Sequence, residues 1–237
     1  MKFEPLMSSS HGNVYIISDG HTHILLECGV TYKKLQQLCG FQTTNFDACI
    51  ISHEHKDHSA AVKQVITAGV PVYMSNGTAE ALELPEKLLD LAQEMTAGEQ
   101  FCVGTIDVLP FATYHDAKEP LGFVMRSRID GDVFAYAIDT VNIPYNYPNA
   151  NILALEANFE RAILDRCEKM PEKVRHRIAN THMEIDILCG ILQRMDLSKC
   201  RELHLLHLSD ATSHEGHFIN KVARVVPRHV KVSACPR

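Results

Sequence analysis

No run of apolar residues in this 237-residue chain approaches the ~18 needed to span a bilayer. None of its eight cysteines forms a C-x-x-C pair, and most sit inside apolar stretches such as Ala48-Cys49-Ile50, so they read as reduced, buried thiols acting as small hydrophobes. No basic excess exists either. The net charge of −6 argues against a generic nucleic-acid coat or a basic membrane-surface protein, while leaving room for an enzyme that meets phosphates through bound metal ions. Repeats, linkers and biased segments are missing, and Met1-Lys2-Phe3-Glu4-Pro5 lacks the apolar stretch of a secretory signal, so a cytoplasmic protein is expected. At 46% hydrophobic and 22% charged residues, the composition is that of an ordinary globular chain, long enough to bury roughly 70% of its unfolded surface. Tryptophan is absent. Against these absences stand 14 histidines, a density that points first to metal or acid–base chemistry.

Hydrophobic periodicity gives a mixed α/β chain. Val14 to Ile17 and Ile24 to Leu26 read as strands joined through Asp19-Gly20, and Thr31 to Cys39 as a helix capped by Thr31 and closed by Gly40. Phe46 to Ile51 has the near-continuous apolar character of a strand buried on both faces. A helix over Ser59 to Ala68 and a strand over Pro71 to Met74 follow, an alternation that implies partly parallel strands. Further strands are expected at Phe101 to Val103, Ile106 to Ala112, Gly122 to Ile129, Val133 to Ile138, Asn151 to Leu155, Leu203 to Leu208 and Val230 to Ser233. Helices are expected from about Glu160, from Pro171, over Glu184 to Arg194 and near His214 to Val222. This order fits one domain, residues 1–237, with two sheets each covered by helices on its outer face.

The chemistry concentrates in Ile50-Ile51-Ser52-His53-Glu54-His55-Lys56-Asp57-His58-Ser59, where a buried strand gives way to a helix. His53 and His55, two apart in extended chain, project to one side and suit a single cation. Asp57 and His58, in the turn onto the helix, suit a second. A polar, solvated turn is the bland alternative, but H-x-H-x-D-H arises by chance in only roughly a few chains per thousand of this composition.

His53-x-His55-x-Asp57-His58 after an apolar strand resembles the signature of metallo-β-lactamase-fold hydrolases, and later landmarks follow in that family's order. The resemblance implies that His115 completes a first metal site, that Asp139 bridges, and that His207 completes a second. It implies the four-layer αββα sandwich of that fold and two divalent metal ions per chain. Imidazole and carboxylate donors suit zinc or manganese. Met7-Ser8-Ser9-Ser10-His11-Gly12-Asn13 and Leu26-Glu27-Cys28-Gly29 are similar to the start of the YycJ (WalJ) group, regarded as DNA exonucleases. Leu155-Glu156-Ala157-Asn158 and Asn180-Thr181-His182-Met183 match later landmarks, with Thr181-His182-Met183 standing where that group shows Gly-His-Leu-Ser. By likeness to RNase Z-type enzymes, His182 would serve the leaving group and Glu156 would orient it; the structural alternative is that His182 caps the helix near Glu184. Asp57, His182 and Glu156 are thus the candidate catalytic residues.

Other features carry less. Ser8 to Gly12 would make either a phosphate-holding nest or an ordinary turn. Tyr145 and Tyr147 would either stack a base or pack their loop. His21, His23, His176, His204, His214, His217 and His229 read as solvent-facing or structural. Arg161, Arg166, Lys169, Lys173, Arg175 and Arg177 form one basic stretch, and Lys221, Arg224, Arg228 and Lys231 another; each is a phosphate track or a solvated face. The expected activity is phosphodiester hydrolysis, of DNA or RNA ends by an exonuclease-type nuclease, with a nucleic-acid end or nucleotide as partner, no membrane, and homo-oligomers open. The alternatives are a small-molecule or cyclic-nucleotide phosphodiesterase, a glyoxalase II-like thioesterase and a non-catalytic metal-binding module.

Overall fold

The computed structural model describes residues 1–143, 147 and 149–237; Tyr145 lies outside the described residues. Its strands fall into two sheets, of six and seven strands. Contacts divide the chain into two compact units.

The first unit holds residues 1–112 and 117–132, with Pro236. Its six-stranded sheet runs in sequence order through β1 (Lys2–Ser9), β2 (Gly12–Ser18), β3 (His23–Leu26), β4 (Ala48–Ile50), β5 (Val72–Met74) and β6 (Ala92–Glu94). β1, β2 and β3 are antiparallel; β3 to β6 are parallel, as the strand–helix alternation predicted. Helices α1 (Tyr32–Leu38), α2 (Lys56–Ser59), α3 (Val62–Thr67), α4 (Asn76–Ala81) and α5 (Glu86–Leu89) lie between these strands in sequence. The Thr31 side chain accepts from Lys34 N, so the predicted cap is real. The expected helix from Ser59 is instead two short ones, because Ala61 N–H donates to Cys28 O (3.0 Å) and leaves the ladder between α2 and α3. A cluster from Val14, Leu25, Leu35, Cys49, Ile51, Val65 and Val72 packs the parallel part. Strands β7 (Phe101–Val103), β8 (Ile106–Ala112) and β9 (Leu121–Ser127) form an antiparallel meander.

The second unit holds residues 113–116 and 133–235, with Arg237. Strands β10 (Val133–Ala137), β11 (Ile152–Glu156), β12 (Glu202–Leu206) and β13 (Lys231–Ala234) pair in parallel. Every residue of β11 is buried, the outcome expected for a central parallel strand. Helices α6 (Arg161–Asp165), α7 (Glu172–Thr181), α8 (Ile185–Leu192) and α9 (Glu215–Ala223) connect them. Pro171 is the residue before α7 rather than its first helical residue, with ψ 143°. All eight cysteines are free; five are buried, Cys39 and Cys167 are half-buried, and Cys102 is exposed, contrary to the buried reading for that position. Among the described residues no helix is long and apolar enough to cross a membrane.

Candidate metal centre

In the first unit the H-x-H-x-D-H motif leaves the end of β4 and enters α2. The turn is tied by His58 N–H and Ser59 N–H donating to His55 O (2.9 and 3.0 Å) and by Ser59 Oγ donating to Glu54 O (2.8 Å). These bonds gather the imidazoles. His53 Nε2 lies 3.1 Å from His55 Nδ1, and the His53 and His58 rings are 4.1 Å apart. Such crowding of ring nitrogens suits a shared cation better than mutual hydrogen bonding. Ser52 Oγ sits 2.9 Å from His53 Nδ1, so the Nε2 edge of the ring is the one that faces His55. His53 and His58 are buried, while His55 and Asp57 are half-buried.

A second layer holds the motif. Glu27, fully buried, accepts Ser52 N–H on both carboxylate oxygens (3.3 Å each) and lies 3.6 Å from His58 Nδ1. Asn13, also fully buried, reaches Asp57 O at 3.1 Å and His58 Nε2 at 3.2 Å through its amide nitrogen. Tyr15 OH donates to Asn13 Oδ1 (2.9 Å) and meets Ser8 Oγ at 2.6 Å. The Ser8–Gly12 segment therefore ends β1 and begins β2, and its buried serines belong to this supporting network. Gly29 is required here, since a Cβ on it would stand 1.6 Å from Asp57 O.

The second unit assembles the remaining candidates at the ends of its strands. Asp139 follows β10, Glu156 ends β11 and His207 follows β12; together with His182 they offer ligand atoms all within 4.8 Å of one another. Asp139 Oδ1 is 2.6 Å from His207 Nδ1, and Asp139 Oδ2 is 3.3 Å from His115 Nε2. His115 Nδ1 donates to Thr181 O (2.8 Å), so in the neutral ring Nε2 carries the lone pair that a cation would use. Burial lowers the His115 pKa, favouring the neutral ring that a metal needs.

Glu156 is fully buried and fully engaged. Its Oε2 accepts Thr140 N–H (2.9 Å) and Met183 N–H (3.1 Å), and its Oε1 lies 2.7 Å from His182 Nδ1 and 3.2 Å from His207 Nδ1. Burial alone would raise the Glu156 pKa, but the facing His182 and His207 outweigh it and hold the carboxyl below its ordinary range. The same pairing works in reverse on His182: burial pulls its pKa down, and Glu156 with Asp139 pushes it above the ordinary imidazole value. His182 does not cap the helix near Glu184. It is the C-terminal cap of α7, and Glu184 is the N-cap of α8.

Three site residues share an unusual backbone. Glu27, Asp139 and His207 have φ of 63°, 46° and 53°, the left-handed region that costs an ordinary L-residue about 1–2 kcal/mol. Each turns sharply on leaving a strand.

Glu27, Asn13, Ser52, Thr140 and Asn158 carry structural roles at the site that the sequence assigned to none of them. The available signal was an acid ending an apolar strand just before a glycine, Leu26-Glu27-Cys28-Gly29. Tyr147 is buried. His204 is half-buried between Ser233 Oγ (3.1 Å) and Glu202 Oε2 (3.3 Å), a structural setting. The second basic stretch has acidic partners after all: Lys221 Nζ lies 2.7 Å from Asp186 and 3.2 Å from Glu160.

Residues 22–208 match the sequence model of the beta-lactamase superfamily domain, and the chain belongs to that family. No curated protein matches the sequence. Among solved structures, the chain resembles the metallo-beta-lactamase fold protein YhfI from Bacillus subtilis at 18% identity and a TM-score of 0.75, covering 99% of this chain and 96% of that one. It resembles a diphosphatase from the PhnP family at 16% identity and a TM-score of 0.67, covering 98% and 94%. It also resembles human tRNase Z, short form (ELAC1), at 14% identity and a TM-score of 0.67, covering 100% and 96%. These likenesses show the metallo-β-lactamase fold that the H-x-H-x-D-H motif implied.

Proposed function

We propose that the chain is a dinuclear metal-dependent hydrolase of phosphodiester bonds, an exonuclease-type nuclease of the YycJ (WalJ) and RNase Z kind. In this reading the two units are halves of one domain. His53, His55 and His115 would hold one divalent cation and Asp57, His58 and His207 the other, with Asp139 as the carboxylate available to both. The donor set supports zinc or manganese: imidazoles with carboxylates, and a His115 tautomer set by Thr181 O, which can only accept. Two such cations supply a water-derived nucleophile near neutral pH and offset charge on the phosphate.

The observation that carries the reading is the His182–Glu156 pair. Seven residues would suffice as ligands, yet a further polar side chain, His182, stands 3.6 Å from Asp139 Oδ1 and is bonded to a fully buried carboxylate at 2.7 Å. Glu156 accepts a hydrogen bond from Nδ1–H and favours the imidazolium, whose Nε2–H is then the acid for a departing alkoxide. A thioester, whose thiolate departs without a proton, has less need of such a group. The net charge of −6 favours a second reading, a small-molecule or cyclic-nucleotide phosphodiesterase. A cytoplasmic location accompanies either.

His182→Ala tests the reading. Elemental analysis should still give two metals per chain, while turnover of a dinucleotide falls by about 10²–10⁴-fold. A p-nitrophenyl phosphodiester, whose leaving group needs no proton, should lose much less. Equal losses on both substrates, or loss of a metal, would remove His182 from the acid role. Efficient thioester turnover with inert phosphodiesters would overturn the activity itself.

A further inference from the structure

We infer that the exposed face of α7 is a binding ridge for the backbone of a single-stranded nucleic acid, an inference that rests on the phosphodiesterase reading and names its polymeric partner. The first observation is how charge is distributed. The first unit carries nine Lys and Arg against sixteen Asp and Glu, a net of −7, whereas the second carries fourteen against thirteen, a net of +1. Two of those thirteen acids, Asp139 and Glu156, are buried in the candidate centre. The acidity of the whole chain therefore says nothing against a polyanion at the second unit. Within residues 161–177 six basic side chains face three acidic ones.

The second observation is the helix itself. Of the ten residues of α7 only Thr181 is buried, so the helix adds little to the core and presents most of its surface to solvent. Lys173, His176, Arg177 and Asn180 stand at i, i+3, i+4 and i+7, one stripe on one face, and all four are exposed. Lys173 and Arg177 carry positive heads and Asn180 an amide donor, the groups that meet phosphate oxygens.

The third is where the stripe leads and how firmly it is held. At the carboxyl end of α7, Thr181 O accepts from His115 and His182 caps the helix. From Lys173 to His182 is about 13 Å along the axis, the reach of a few nucleotides beyond a scissile phosphate. Arg175 Nη1 donates to Cys167 O (3.0 Å) and Met170 O (2.9 Å), which pins the loop bearing the exposed Arg166 and Lys169 to the start of the helix. Arg177 clamps Asp116 through two bonds, of 2.6 and 3.0 Å, one residue from His115. A solvated helix face needs no such anchoring at both ends, and an anionic membrane would not require a ridge that terminates at the reaction centre.

The test reads equilibrium binding of the full chain, in chelator, to a fluorescent oligonucleotide of about 12 nucleotides, so that no turnover is involved. Lys169→Glu with Lys173→Glu should weaken binding by roughly tenfold or more at low salt and flatten the slope of log affinity against log salt by about 1.4, since each single-strand phosphate contact contributes about 0.7. The charge-matched control, Lys33→Glu with Lys34→Glu on α1, should change binding by less than about twofold. Hydrolysis of a p-nitrophenyl phosphodiester should be unaffected by either pair. Equal loss in both double variants, or no loss in the first, would overturn the ridge. Phosphatidylserine vesicles that bind the wild type but not the Lys169/Lys173 variant, with oligonucleotide binding unchanged, would reassign the face to a membrane and also overturn it. If the wild type cleaves no phosphodiester, the activity fails on its own evidence, because this assay never depends on cleavage.

Discussion

Replacing Glu27 by Gln changes one atom and should separate folding from metal binding. Both carboxylate oxygens sit 3.3 Å from Ser52 N–H, so either orientation of the amide sets an NH₂ against that donor. One orientation also turns the NH₂ toward His58 Nδ1, 3.6 Å from Oε2. Loss of a charge-assisted acceptor with the shape kept costs about 1–2 kcal/mol. For a chain of this length that lowers Tm by about 3–6 °C. The larger effect falls on His58. With no carboxylate facing its Nδ1, the ring loses a contact that orients it, and affinity for the cation it is proposed to hold should drop about 10–100-fold. Glu27→Ala is less informative: it orphans both partners, opens a hole and keeps the unfavourable φ, a total of about 3–5 kcal/mol against a typical stability of 5–15. The assay is zinc titration against a competing chelator, alongside a thermal melt of the metal-free protein. Wild-type affinity for both cations in Glu27→Gln would refute the reasoning, whatever the melt shows.

Gly29→Ala should fail to fold stably, because backbone at Asp57 cannot retreat from a Cβ placed 1.6 Å from its oxygen; a melt within about 2 °C of wild type would contradict the packing. Asp19 accepts from His21 N–H, Thr22 N–H, Thr105 Oγ and Ser127 Oγ, and although burial opposes it, these bonds lower its pKa below the ordinary aspartate value. Its contribution is present above the unfolded pKa of about 3.9 and is lost as pH falls through the folded value. The stability gap between wild type and Asp19→Asn, measured by urea midpoints, should therefore be constant from about pH 5 to 7 and close below about pH 4; a gap that widened in acid would contradict the assignment.

The parts of the fold legible in the sequence were those where one local rule dominates. Ile106 to Ala112 matches β8 residue for residue, and β11 stood out as an apolar run because it is buried on both faces. β1 escaped notice because Pro5 and a bulge between Pro5 and Met7 interrupt its alternation. The segment from Ser75 to Gln100 gave no signal, since α4 and α5 are short and β6 is a three-residue edge strand with two exposed positions. The site divides the same way. Four donors packed into six residues announce themselves, whereas His115, Asp139 and His207 are single residues whose meaning comes only from their order along the chain. Glu27 and Asn13 are chemically ordinary in sequence. Their importance is a matter of what they touch across 31 and 45 positions of chain to His58, and no local pattern encodes that.

The left-handed conformation of Glu27, Asp139 and His207 bears on how this chain can drift under mutation. At each of these positions glycine would relax the backbone by about 1–2 kcal/mol, which offsets part of what losing the buried side chain costs. The mildest route by which these positions can lose their side chains therefore runs through glycine rather than alanine. In thermal melts of the metal-free protein, the glycine variant at each of these three strand exits should be more stable than the alanine variant.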